Sequence, residues 1–145
     1  MMEVYSDEFL ISDDKTLIQP QRVFEMLHKS YWAGERSLET IKKSIEHSLC
    51  FGVYQAGEQV GFARCVTDYA TSFLLVDVII DERYRGRGLG KKLVPFILSH
   101  ELLQGLTGTL ATRDAHGLYA KYGFAHVDPN LYMRRAAAKA EAKPE

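Results

Sequence analysis

Arg85-Gly86-Arg87-Gly88-Leu89-Gly90 follows an apolar run, Phe73 to Ile80, and leads into a pattern of apolar residues at helical spacing. A strand, a glycine turn and a helix start in that order form a cradle for anionic oxygens. Glycines let the backbone approach a ligand and take positive φ, the first-turn N–H groups have no intrahelical partner, and the helix dipole there favours negative charge. Arg85 and Arg87 add fixed cations able to fork onto phosphate. Spacing excludes two common phosphate loops. A Walker A loop requires a glycine five residues before Gly90, where Arg85 stands, and Ser or Thr after Lys91, where Lys92 stands. The dinucleotide fingerprint requires a third glycine three residues after Gly88, where the chain has Lys91.

The spacing that fits is R/Q-x-x-G-x-G/A, matched by Arg85, Gly88 and Gly90. A second segment, Leu118-Tyr119-Ala120-Lys121-Tyr122-Gly123-Phe124, fits F/L-Y-x-K-x-G-F, with Tyr119 lying 34 residues after Arg85 and Ala115 four residues before it. In both segments, in this order, the chain resembles the GNAT superfamily of N-acetyltransferases, in its small single-domain bacterial form. The resemblance implies an α+β fold, a central mixed, mostly antiparallel sheet flanked by helices, over nearly the whole chain. It also implies acetyl-coenzyme A as cosubstrate, with its pyrophosphate against Arg85, Gly86, Arg87, Gly88, Leu89, Gly90 and Lys91. A second reading of Gly123 stands beside this one, as the left-handed residue that ends a helix, with Phe124 starting a core strand.

Composition agrees with one globular domain: 145 residues, 46% of them hydrophobic, can bury about two-thirds of the unfolded surface. The expected division is a domain over residues 1–134 and a flexible tail over 135–145, which is alanine- and charge-rich without an apolar stripe. A net charge of −1 and a pI of about 6.5 with no basic block argue against a nucleic-acid surface. No apolar run reaches the ~18 residues of a membrane span, and the acidic N-terminus lacks the regions of a signal peptide. The expectation is a cytoplasmic protein without membrane contact. Cys50 and Cys65 lie in separate apolar runs without metal spacing, so buried reduced thiols and no metal are expected.

Along the chain, Phe9 to Ser12 is the expected first strand. Pro20, Val23, Phe24, Leu27, His28 and Tyr31 recur at helical steps after a proline, and Ser37 caps a second helix carrying Leu38, Ile41 and Ile45 and ending near Ser48. Cys50 to Tyr54, Val60 to Asp68 and Phe73 to Ile80 form antiparallel strands. Leu89, Leu93, Phe96 and Ile97 mark a helix to about Leu103, with Pro95 a local disturbance. Thr107 to Thr112 is a strand, Asp114 caps a helix ending near Tyr122, and Phe124 to Val127 with Leu131 to Met133 close the sheet.

Acyl transfer to an amine requires a neutral nucleophile, a donor for the developing oxyanion and an acid for the departing thiolate. In the resembling family a backbone N–H of the strand before the glycine loop polarises the thioester, which places Val78, Ile79 and Ile80 beside the cofactor. The family's motif tyrosine lies near the coenzyme sulfur, so the resemblance implies Tyr119 as a cofactor contact and the acid, with Tyr122 as the next candidate. A phenol of pKa ~10 protonates a thiolate of pKa ~8.5 only with help from the site, such as desolvation of the thiolate. Asp77 is a carboxylate in an otherwise apolar strand, which is unfavourable unless paired or useful. The family often places an acid there, as base, water orienter or structural partner. His116 has a side chain whose ordinary pKa suits proton transfer or acceptor contact.

The segment Ser30 to Ser37 holds the sole tryptophan, beside Tyr31 and near Arg36, and falls between the first two helices. In this family that connection walls the acceptor site. Tyr31, Trp32 and Arg36 are therefore candidate substrate contacts, the arginine for an anionic group, with packing of the helix corner as the alternative. The expected function is N-acetylation of a small-molecule primary amine by direct attack in a ternary complex. Acetylation of a protein or peptide lysine or N-terminus, and an acyl-coenzyme A sensor without catalysis, stay open, as does a homodimer.

Overall fold

The computed structural model describes residues 1–138, in which β1 (Glu3–Ser6), β2 (Phe9–Ser12), β3 (Leu49–Gln55), β4 (Glu58–Thr67), β5 (Ser72–Ile80) and β6 (Thr107–Thr109) form one sheet in sequence order. The first five strands pair antiparallel and β6 joins β5 in parallel, as a mixed, mostly antiparallel sheet requires. The helices are α1 (Pro20–His28), α2 (Leu38–Glu46), α3 (Leu89–Leu98) and α4 (His116–Ala120).

Each face of the sheet has its own core. On one, α1 and α2 bury Val23, Leu27, Ile41 and Ile45 against Phe62 and Ile79. Pro20 opens α1 at a position where its missing N–H has no consequence, and the Ser37 hydroxyl accepts the Thr40 N–H to start α2. On the other face, α3 buries Leu89, Leu93, Val94 and Ile97 against Phe51, Val53, Phe73, Leu75 and Tyr119. Both cysteines are buried and unpaired, and burial pushes their thiols up to about 11 for Cys50 and about 12 for Cys65.

Several expected boundaries differ. The hairpin strand β1 has no apolar face to reveal it, its residues being mostly exposed. Helix α1 stops at His28, short of Tyr31, and α3 at Leu98, short of Leu103. Beyond α3, His100 turns extended, its ring accepts the Leu102 N–H to start a short 3-10 turn, and its Nε2 meets Asp13 Oδ2 at 2.9 Å. The strand expected over Thr107 to Thr112 ends at Thr109. Asp114 does not cap α4; the Thr112 hydroxyl instead accepts the Ala115 N–H. The two closing strands are absent among the described residues. Asp128 accepts the Asn130 N–H across Pro129, and this 3-10 turn interrupts the chain where a ladder would need regular donors. Of the expected tail, residues 139–145 lie outside the described residues.

The Tyr54 hydroxyl is buried without a hydrogen-bond partner among the described residues, and burial raises its pKa. Leaving such a group unpaired costs about 1–3 kcal/mol. Tyr54→Phe is therefore expected to be neutral or to stabilise the fold by about 1 kcal/mol, read as a higher urea midpoint at unchanged slope. A lower midpoint would show that the hydroxyl is satisfied after all.

Candidate active site

Strand β5 organises the site. Opposite β4, Phe62 pairs with Ile79 and Arg64 with Val76, so Asp77 and Val78 together face the single residue Ala63. This is a β-bulge, and Asp77 takes φ +55° within it. The extra residue reverses the alternation of the strand. Phe73 and Leu75 face α3 before the bulge, Val78 and Ile80 face α3 after it, and Ile79 turns to the α1/α2 core. A short polar side chain tolerates the left-handed region better than a branched one, which suits aspartate to this position.

The Asp77 side chain is 1% exposed and both its oxygens are occupied. Trp32 Nε1 donates to Oδ1 at 2.9 Å, while Arg36 Nη1 and Arg64 Nε both donate to Oδ2 at 2.7 Å. Arg64 also donates to the Ser48 hydroxyl. The connection between α1 and α2 is thus fastened to β5 through two of the residues singled out in the sequence. Tyr31 stands edge-on to Trp32, with ring centres 5.0 Å apart, and the Arg113 guanidinium lies 3.7 Å from the centre of the Tyr31 ring. Arg64 and Arg113 were not anticipated. Arg64 carried a signal like that of Asp77: a charge inside an apolar strand, 13 residues from an opposite charge inside the next one. Arg113 carried none.

On the other side of β5 lies the glycine turn. Gly86 and Gly88 both take φ near +80°, and Gly88 precedes α3 without any side-chain cap on the helix. A Cβ built on Gly86, Gly88 or Gly90 would meet no atom within 4 Å, so the space beside these glycines is open. The residues thus fit a pyrophosphate. The cations divide their work. Arg85 Nε donates back to the Ile80 carbonyl at 3.0 Å and fastens the loop to β5, whereas Arg87 sits over the Tyr84 ring with Glu8 3.9 Å away. Lys92 holds Ser6 and lies near Asp7, while Lys91 is exposed.

Tyr119 is buried in the same cluster as Leu89, Val78 and Ile80, which joins three separate sequence segments. Burial, and then the nearby charge of Asp114, raise its pKa. Its ring meets Phe124 edge-on at 5.9 Å, the Phe124 N–H bonds the Tyr119 carbonyl, the Gly123 N–H bonds the Ala120 carbonyl, and Gly123 takes φ +88°. This is a Schellman closure, so the second segment is also a helix end. Tyr122 is 40% exposed. His116 is exposed and stacked on His126; no hydrogen bond, ion pair or ring contact among the described residues joins it to the Asp77 cluster.

Strands β5 and β6 share only three register pairs, Ser72–Thr107 to Leu74–Thr109. From Leu75 to Ile80, β5 has no β6 partner among the described residues, and only the Ile80 carbonyl on this stretch takes a side-chain donor, Arg85 Nε. Strand β5 thus brings together a divergence in the sheet, a glycine turn at a helix start and the Tyr31–Trp32 pair.

The chain belongs to the GNAT acetyltransferases: the sequence model of the "Acetyltransferase (GNAT) domain" matches residues 46–126. A crystal structure from Xanthomonas campestris pv. campestris, described as belonging to the GNAT family, superposes with a TM-score of 0.85 at 40% identity, covering 92% of this chain and 96% of that one. The fold is shared with glucosamine-6-phosphate N-acetyltransferase from Arabidopsis thaliana, at a TM-score of 0.64, 18% identity and coverage of 91% and 99%. An uncharacterized N-acetyltransferase, ycf52-like, from Prochlorococcus marinus is 35% identical over 79 residues, 51% of this chain and 44% of the relative. A Gibberella zeae relative is 28% identical over 118 residues, so the chain spans 66% and 44% of these two relatives' lengths. No helix among the described residues is long and apolar enough to cross a membrane.

Proposed function

We propose that the chain transfers an acetyl group from acetyl-coenzyme A to the primary amine of a small molecule, by direct attack within a ternary complex. One observation carries this reading: the stretch of β5 beyond its β6 ladder separates an uncapped helix start and Tyr119 on one side from the Trp32, Arg36 and Asp77 cluster on the other. When bound, acetyl-coenzyme A supplies an activated acyl thioester. The chain's own residues do the rest. Arg87, Lys91 and the first-turn N–H groups of α3 hold the pyrophosphate, the backbone N–H groups around Val78, Ile79 and Ile80 serve as oxyanion donors, and Tyr119 gives its proton to the leaving sulfur.

The Asp77 side chain is 1% exposed and three of its about four acceptor sites are taken by Trp32, Arg36 and Arg64, so little of it is left to meet an amine. We assign it to positioning Arg36 and Trp32, and leave the amine proton to a water path. The stack of Arg113 on Tyr31 ties the α1–α2 connection to the segment before α4 and narrows the acceptor side, which favours a small acceptor over a peptide.

Arg87→Ala is expected to weaken acetyl-coenzyme A binding about 10- to 100-fold and to flatten its salt dependence, because a charge-assisted phosphate contact contributes about 1.5–3 kcal/mol. Calorimetry reads the affinity. Thiol release with a panel of amines, followed by mass spectrometry of the product, tests the transfer. Acetyl-coenzyme A binding without amine-dependent thiol release would favour a sensor, and acetylation confined to added peptides would favour the peptide reading.

A further inference from the structure

Counting charge around Asp77 leaves a surplus. One buried carboxylate serves two guanidiniums, Arg36 and Arg64, and the Arg64 side chain is 13% exposed while that of Arg36 is 30% exposed. The unbalanced positive charge therefore meets solvent at Arg36. Its Nη1 is engaged by Asp77, but a guanidinium has five N–H donors, so most of the fork remains for another partner. Arg113, stacked on Tyr31, makes no ion pair among the described residues and adds a second cation that the Tyr31–Trp32 pair links to the Asp77 cluster. The flanking acids, Glu35 and Asp114, are both exposed and pair with none of the three arginines.

From this arrangement, and resting on the acetyltransferase reading above, we infer that the acceptor is an amine carrying its own anionic group, a carboxylate or a phosphate, bound by Arg36 and Arg113 against the Tyr31–Trp32 wall. A polyamine or another purely cationic acceptor finds no exposed carboxylate in the cluster, since the Asp77 side chain is 1% exposed and already holds Trp32, Arg36 and Arg64. It would also face two cations. An anionic substituent relieves the surplus and matches the planar fork of a guanidinium. The aromatic wall offers a flat apolar surface to the part of the molecule between the two charges.

The test uses the full chain saturated with coenzyme A and four probes: an amino acid, its amide, the corresponding decarboxylated amine and an aminoalkyl phosphate of similar length. Calorimetry of probe binding decides the inference, and thiol release with acetyl-coenzyme A decides the function. At least one anionic probe should bind about 10-fold or more tighter than the amide and the decarboxylated amine, and the better of the two anions identifies the group. Arg113→Gln, an exposed substitution, should remove most of that preference, and Arg36→Gln the remainder. Equal or tighter binding of the uncharged and cationic probes would overturn the inference even if they were acetylated. Tighter binding of an anionic probe without thiol release would uphold the anion site and overturn acetyl transfer.

Discussion

Tyr119→Phe is expected to lower kcat by about 10²-fold or more, the ordinary scale of general acid catalysis, while acetyl-coenzyme A affinity stays close to that of the unaltered protein. The substitution removes only the hydroxyl. The ring keeps its place in the α3 core and its edge-on contact with Phe124, so the closure at Gly123 persists. Burial raises the Tyr119 pKa, which makes it a weaker acid in the free protein but keeps its proton in place across the physiological range. The same desolvation makes a departing thiolate more basic, so the transfer retains its driving force. The alkaline limb of the kcat profile should accordingly lie above the ordinary tyrosine value of ~10 and disappear in the variant. Full kcat at every pH, with the chemical step rate-limiting, would transfer the role to Tyr122 or to solvent.

Removing the Asp77 carboxylate should have the largest effect on stability. Asp77→Ala leaves Arg36 and Arg64 facing each other without a counter-charge and puts a residue without a polar side chain at φ +55°. Breaking a buried pair in this way costs about 3–5 kcal/mol; because Arg36 is partly solvated, the lower end applies, or about 6–12 °C in Tm for a chain of this size. Asp77→Asn keeps the shape and tolerates the left-handed region, so it should lose less. It also separates positioning from proton transfer. If Asp77 holds Trp32 and Arg36 in place, Asp77→Asn raises the acceptor KM and leaves the acidic limb of the pH profile intact. Loss of that limb would make Asp77 the base, and an unchanged Tm in Asp77→Ala would show that the arginines find other partners.

The elements built on a strong local signal were legible in the chain. Pro20 and Ser37 mark helix starts within a residue, and β3, β4 and β5 follow their apolar runs. Where the signal was nonlocal the sequence was silent or misleading. The bulge cannot be seen in Leu75-Val76-Asp77-Val78, because it exists only relative to Ala63 on the neighbouring strand. The closing strands were inferred from apolar residues on either side of Asp128-Pro129-Asn130, and that triplet's own turn chemistry prevailed. Within the candidate site, Trp32 and Arg36 were singled out together in one segment and Asp77 separately, but nothing in their spacing showed that they touch. Arg113 gave no clue at all, since an exposed arginine in a loop is ordinary until Tyr31 is found beneath it.

The inserted residue at Asp77 works as a phase shifter. Odd-numbered residues, Phe73 and Leu75, face α3 before it and even-numbered ones, Val78 and Ile80, after it, while Asp77 and Ile79 go to the opposite layer. One strand thereby serves two layers with two different sets of side chains. On the proposed reading, exchanges in the α1–α2 connection alter the acceptor side while Val78 and Ile80 keep their packing on the α3 face. A single inserted residue thus decides which layer each later side chain of β5 enters.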